Sequence, residues 1–159
     1  MVIFVHVALG VIALVAGAWN LMAQKGTRRH RRAGWIYTGA MAGLILTSFA
    51  IFQLTGAFGP FHVMAIVSGA TLTLAIYFPL RREYHDGWLE HHYFWITFSY
   101  VGLVMATGSH FAQYGPAGWS MWERGALWWG VPMVIGFALI FWKKEKVLNR
   151  LRARASLAE

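Results

Sequence analysis

The chain has 159 residues, 58% of them apolar and only 13% charged, with a mean hydropathy of +0.48, which exceeds what a soluble domain of this size can hide. No cysteine occurs, so disulfides, thiolate metal sites, iron–sulfur clusters, cysteine nucleophiles and covalent c-type haem attachment are excluded, and any metal must rest on histidine, methionine or oxygen. The net charge of +8 comes from 14 Lys and Arg gathered at the ends of apolar runs, a distribution that reports membrane topology and not nucleic-acid binding.

A hydrocarbon core about 30 Å thick takes roughly 20 helical residues to cross. Five runs approach that length. The first, Val2 to Ala23, has no basic stretch before it and ends on Gln24-Lys25-Gly26, which is no small-residue cleavage site, so it reads as a retained helix and not a secretory signal. The second, Ala33 to Leu54, follows a strongly basic connection, and the third, Phe61 to Leu80, follows Gly59-Pro60. The fourth is His91 to Ala112, and the fifth is Gly125 to Trp142. These runs are too long and too continuously apolar for barrel strands, which alternate. The expected fold is all-α: an integral membrane bundle of five transmembrane helices over residues 1–142, followed by a basic cytoplasmic tail, 143–159.

Lys25, Arg28, Arg29, Arg31 and Arg32 follow the first run, Arg81 and Arg82 the third, and six more Lys and Arg the fifth, whereas the opposite side has Arg124 alone. The positive-inside rule then puts the amino terminus outside and the carboxyl terminus in the cytoplasm. Trp119, Trp122, Trp128 and Trp129 gather around the outer end of the fifth run as interfacial anchors do. The tail places Val147, Leu148, Leu151 and Leu157 among its charges and reads as a basic amphipathic extension drawn to anionic lipid.

Ionisable groups at membrane depth are costly and tend to be functional, which makes the seven histidines the informative residues. On this topology His6, His62 and His110 lie toward the outer face, and His30, His85, His91 and His92 toward the cytoplasm. Helical spacing sets small residues beside them: Gly10, Ala13 and Gly17 after His6; Ala65, Gly69 and Thr73 after His62; Gly34 after His30, on a side that continues through Tyr37, Met41 and Ser48. One stripe of the fourth run carries His92, Trp95, Ser99, Gly102, Ala106 and His110, its histidines 18 residues and so five whole turns apart. Small stripes are also the ordinary material of helix interfaces in membranes. His85, beside Glu83 and Asp86, reads as a solvated loop residue.

The run His6-x3-Gly10-x2-Ala13-Leu14-x2-Gly17, with Lys25-Gly26 and His30-Arg31-x2-Gly34-Trp35-x-Tyr37-x3-Met41, resembles a family of small multi-pass bacterial membrane proteins catalogued as a domain of unknown function. Gly59-Pro60-Phe61-His62, a histidine opening the fourth run, and Tyr100-x-Gly102-Leu103-x2-Ala106 are similar to that family's later motifs, and the resemblance covers about residues 3 to 112. Where many members have His-Arg at the start of the fourth helix, this chain has His91-His92-Tyr93. The resemblance implies a membrane protein and supplies no chemistry, so function must come from the sites.

Three functions fit the residues. The first is a b-type cytochrome: neutral imidazoles clamp haem iron, His6 with His62 (helped or replaced by His110) outside and His30 with His92 or His91 inside, with electron transfer across or within the bilayer and quinone as a partner. The second is an outer zinc or copper site of His6, His62 and His110, for metal handling or hydrolysis. Hydrolysis asks for a carboxylate, for which Glu123 is the outer candidate, while Met1, Met64, Met105 and Met121 offer soft ligands or plain core filler. The third is a non-catalytic accessory subunit in a homo-oligomer or larger membrane complex. A transporter is disfavoured: Asn20, Gln53 and Gln113 are near run ends, and Pro132 is near the outer end of the fifth run. No phosphate-binding glycine loop and no Ser/His/Asp arrangement at a suitable depth is present.

Overall fold

The computed structural model describes residues 1–52, 56–111 and 114–156. The ends expected at Leu54 and Ala112, together with Gln53, Gln113 and Leu157, lie outside the described residues. Among the described residues the chain is all-helical, with no strand. The helices are α1 (Val2–Met22), α2 (Arg28–Ser48), α3 (Pro60–Leu80), α4 (Trp88–Ser109), a short α5 (Met121–Gly125) and α6 (Val131–Ser156). A 3-10 turn, Arg82–Tyr84, precedes α4, and a π-helical turn, Ala126–Gly130, joins α5 to α6. Among the described residues three stretches, Val2–Met22, Phe61–Leu80 and Met121–Ala153, are long and apolar enough to cross a membrane. Their side chains fit that solvent: Val11, Val15 and Trp19 on α1 and Val134, Ile135 and Phe141 on α6 are all exposed, more apolar surface than a soluble monomer usually leaves to water.

The chain divides into two compact units, Met1–Thr73 and Leu74–Glu159. In the first, α1 and α2 run antiparallel. A Cβ on Gly10 would stand 3.6 Å from Leu44 and one on Gly34 3.5 Å from Asn20, so small residues on each helix admit larger ones from the other. Ala13, Gly17 and Asn20 are buried on α1, and Ala33, Tyr37, Ala40 and Met41 on α2, at the three- and four-residue spacing of one helix face. Gly26 turns the chain between them at φ +79°, a left-handed conformation that favours glycine. Lys25 donates its amine to the carbonyls of Asn20 and Leu21, satisfying the frayed end of α1, and burial holds its pKa below the ordinary lysine value.

α2 starts at Arg28 and not at Ala33, because Thr27 caps it: the Thr27 hydroxyl accepts the His30 N–H at 3.2 Å. Arginine is a good helix former, so a basic stretch read as loop is the helix's first turn. The buried face of α3 runs through His62, Ala65, Leu72 and Ala75, while Thr73 is exposed.

In the second unit α4 and α6 are antiparallel partners. Phe98 meets Phe137 edge-on at 5.0 Å, Phe94 meets Phe141 at 5.7 Å, and the Tyr93 hydroxyl donates to the Ile140 carbonyl at 2.8 Å. Lys144 pairs with Glu90 and lies 5.2 Å above the Phe94 ring. α6 runs on through the expected tail to Ser156, and Leu148 is only 1% exposed, so this part of the tail packs on protein as a continuation of the α6 face. The π turn has a local cause. Pro132 has no N–H for the carbonyl of Trp128, and Val131 N–H reaches back to Ala126 instead. The Trp128 carbonyl sits where a Cβ on Gly108 would be, which makes glycine the residue that fits on α4.

Candidate functional site

Hydrogen bonding assigns the proton on several imidazoles, and the proton decides what each can do. Thr47 has one hydroxyl hydrogen, and the Gly43 and Leu44 carbonyls, both at 2.9 Å, are within its reach. With that hydrogen on a carbonyl of its own helix, the Thr47 oxygen accepts from Nδ1 of His6 at 2.9 Å, and in this arrangement Nδ1 carries the proton and the lone pair falls on Nε2. On α4, Nδ1 of His92 lies 2.7 Å from the Ala75 carbonyl, which can only accept, and the same tautomer results. An imidazole that donates Nδ1–H to an oxygen is in the tautomer that metal and haem ligands usually adopt.

His62 is the reverse case. Its Nδ1 accepts the Gly59 N–H at 3.1 Å, which puts the proton on Nε2. The ring is stacked on Phe52 and Phe58, each 4.9 Å away at 27°, with Phe49 tilted at 6.1 Å. The residue is 3% exposed, and its Nε2 has no hydrogen-bond partner among the described residues. A buried donor left unmatched costs about 1–3 kcal/mol. To offer iron a lone pair, His62 would have to give up the Gly59 bond.

The remaining histidines are spread over different surroundings. His30 is part-buried in the first turn of α2. Of the adjacent pair on α4, His92 is the part-buried one, while His91 is exposed and stacks on Phe78 at 4.4 Å. His85 was expected as a solvated loop residue; it packs edge-on against Phe78 at 5.4 Å, with Nε2 3.3 Å from the Tyr77 hydroxyl. His110 is exposed at the C-terminal cap of α4. Among the described residues, no group of three or more His, Asp or Glu is placed to hold a metal ion, so the centre expected of His6, His62 and His110 is not among the assembled features. Glu123, the outer carboxylate a hydrolase would need, instead closes a capping box with Ser120, accepting its N–H at 2.7 Å. Met41 is core filler at 1% exposure, and Met1, Met64 and Met121 are exposed.

Among the described residues, two surface clefts bear on the site. One, of about 160 Å³, is lined by His91, Phe94, Trp95 and Phe98, and it is smaller than the pockets that enclose cofactors, which start at about 300 Å³. The other, of about 410 Å³, lies at the α1–α2 turn with Trp19, Gln24, Thr27, Arg28 and Arg29 on its walls. A Cβ on Gly102 would meet nothing within 4 Å, so the α4 face that carries His92 has open space along it. Sequence reading gave no signal for the Glu90–Lys144 pair, which joins two charges far apart in the chain, or for the phenylalanine cluster about His62. No protein-family model, functionally characterised protein or solved structure matches the chain, and the chemistry of the site stands on its own geometry.

Proposed function

We propose that the chain is a bacterial inner-membrane protein with five membrane-crossing segments, its amino terminus outside and its carboxyl terminus in the cytoplasm, and that it is a histidine-ligated redox protein carrying b-type haem. The observation that carries this reading is the Nδ1–H bond from His92 to the Ala75 carbonyl at 2.7 Å. A carbonyl acceptor fixes the ring orientation, holds the tautomer and raises the basicity of Nε2. His6 on Thr47 repeats the arrangement at the start of α1 when the Thr47 hydroxyl is turned to the Gly43 or Leu44 carbonyl, and on the proposed topology the two ligands belong to opposite sides of the bilayer.

When bound, haem supplies a one-electron carrier whose potential follows its axial ligands, burial and nearby charge. The chain's part is to hold His92 and His6 in the ligating tautomer, to exclude water with the apolar surface of the helices, and to leave room beside Gly102. His30, His91 and His110 are the candidates for second ligands. The test is substitution: His92→Ala and His6→Ala, each purified in detergent, should each lose part of the haem absorption of the parent protein while keeping its helical circular dichroism. Unchanged spectra in both variants would end the assignment.

A further inference from the structure

His62 is a buried titratable group that the ligand assignment leaves over, and its surroundings specify a different task. The Gly59 N–H holds Nδ1 as an acceptor, so Nε2–H is a donor whose proton cannot move to the other nitrogen without losing that bond. This donor is buried and lacks a partner among the described residues, in a residue 3% exposed, with Phe49, Phe52 and Phe58 around the ring. It therefore asks for an acceptor that is uncharged enough to enter an aromatic surround and flat enough to stack there. The donor belongs to a helix apolar enough to cross a membrane, so its ligand comes from the bilayer. Phe52 is 45% exposed and Phe58 59%, and surface rings of this kind reorient on a picosecond to nanosecond scale, so access needs no backbone opening.

We propose that His62 is the docking donor for a membrane-dissolved quinone, one carbonyl oxygen accepting Nε2–H while the quinone ring packs among Phe49, Phe52 and Phe58. The shared chemistry is a carbonyl acceptor, which a lipid ester also offers; the three aromatic rings favour the planar head group. The assignment rests on the membrane redox reading for the source and destination of electrons, but binding is measured without it.

The experiment uses the full chain in nanodiscs of phosphatidylethanolamine and phosphatidylglycerol, with a short-chain photoreactive azido-ubiquinone as probe and haem content determined on the same sample. Saturable labelling within residues 49–62, displaced by unlabelled short-chain ubiquinone, is expected. His62→Phe should weaken it about tenfold or more, the scale of a lost hydrogen bond to a buried donor. His62→Gln, which restores an N–H, should retain more binding than His62→Phe. If His62→Phe does not fold, Phe52→Leu and Phe58→Leu test the stacking half and should each weaken labelling. Labelling that unlabelled quinone cannot displace, labelling confined to other segments, or undiminished binding by a folded His62→Phe would overturn the proposal. So would His62-dependent retention of ester lipid without quinone competition. Displaceable labelling of a haem-free protein supports the quinone site and counts against the haem reading, whereas haem without labelling overturns the quinone site alone.

Discussion

Nδ1 of His92 and the carbonyl oxygen of Ala75 are 2.7 Å apart, a contact between the first turns of α4 and the later half of α3. Because a carbonyl has no proton to give, this one distance assigns the tautomer and settles which of two adjacent histidines is anchored: His92 is part-buried, and His91 is exposed and stacked on Phe78. His91→Ala is accordingly expected to change haem content less than His92→Ala, measured by reduced-minus-oxidised spectra at equal protein concentration.

Thr47 is a positioning residue for His6. Thr47→Val keeps the shape of the side chain and removes the acceptor, so the ring loses its fixed tautomer without losing its place. The expected result is a haem affinity about 10–100-fold weaker at the His6 site, with a shifted midpoint potential and unchanged thermal unfolding. A merely structural role for Thr47 would alter unfolding and leave the potential where it was.

Close approach of α4 to the α5–α6 rod is set by two glycines. A Cβ on Gly108 would overlap the Trp128 carbonyl, and one on Gly136 would come within 2.5 Å of Val101. Gly108→Ala and Gly136→Ala should each destabilise by about 1–3 kcal/mol, the usual cost of overpacking, read as the midpoint of unfolding in detergent. Gly102→Ala, with nothing within 4 Å, serves as the reference and should stay within about 0.5 kcal/mol. Because Pro132 is what frees the Trp128 carbonyl, Pro132→Ala should make Gly108→Ala less damaging, and a double-mutant cycle measures that coupling.

Much of the helical layout was legible from apolar runs, because membrane-length helices must satisfy their backbone within themselves and so advertise their extent in composition. What composition could not show were the ends. Arg28 to Arg32 read as a connection until Thr27 was seen to cap them into α2, and the tail read as an appendage although Leu148 belongs to the buried face of α6. Of the site, the histidines themselves stood out by residue type and depth. Their protonation did not, since it depends on which oxygen or N–H the turn before α3 or the neighbouring helix brings within reach, as Gly59 does for His62 and Ala75 for His92.

The Glu90–Lys144 pair gives a pH dependence of known sign. The hydrogen bond from Lys144 holds the Glu90 carboxyl below its ordinary pKa, with desolvation opposing. A depressed folded-state pKa contributes stability above the unfolded value, about 4.3 for a free glutamate, and loses it as pH falls through the lower folded value. Being exposed, the contribution is small and sensitive to salt. The unfolding midpoints of the parent protein and Glu90→Gln should differ at neutral pH and converge as the pH is lowered below about 4.

The proposed topology predicts that alkaline phosphatase fused after Gly118 is active and the same reporter fused after Lys146 is inactive, with a fluorescent reporter showing the opposite. Activity at both positions would refute the five-crossing arrangement.

The most direct test of the central claim is the absorption spectrum of the detergent-purified full chain, oxidised and then dithionite-reduced, with metal content taken on the same sample. The account predicts a Soret band and sharp reduced α and β bands of b-type haem, diminished by His92→Ala. A colourless protein that stays colourless after incubation with haem, whether or not it carries zinc or copper, would contradict it.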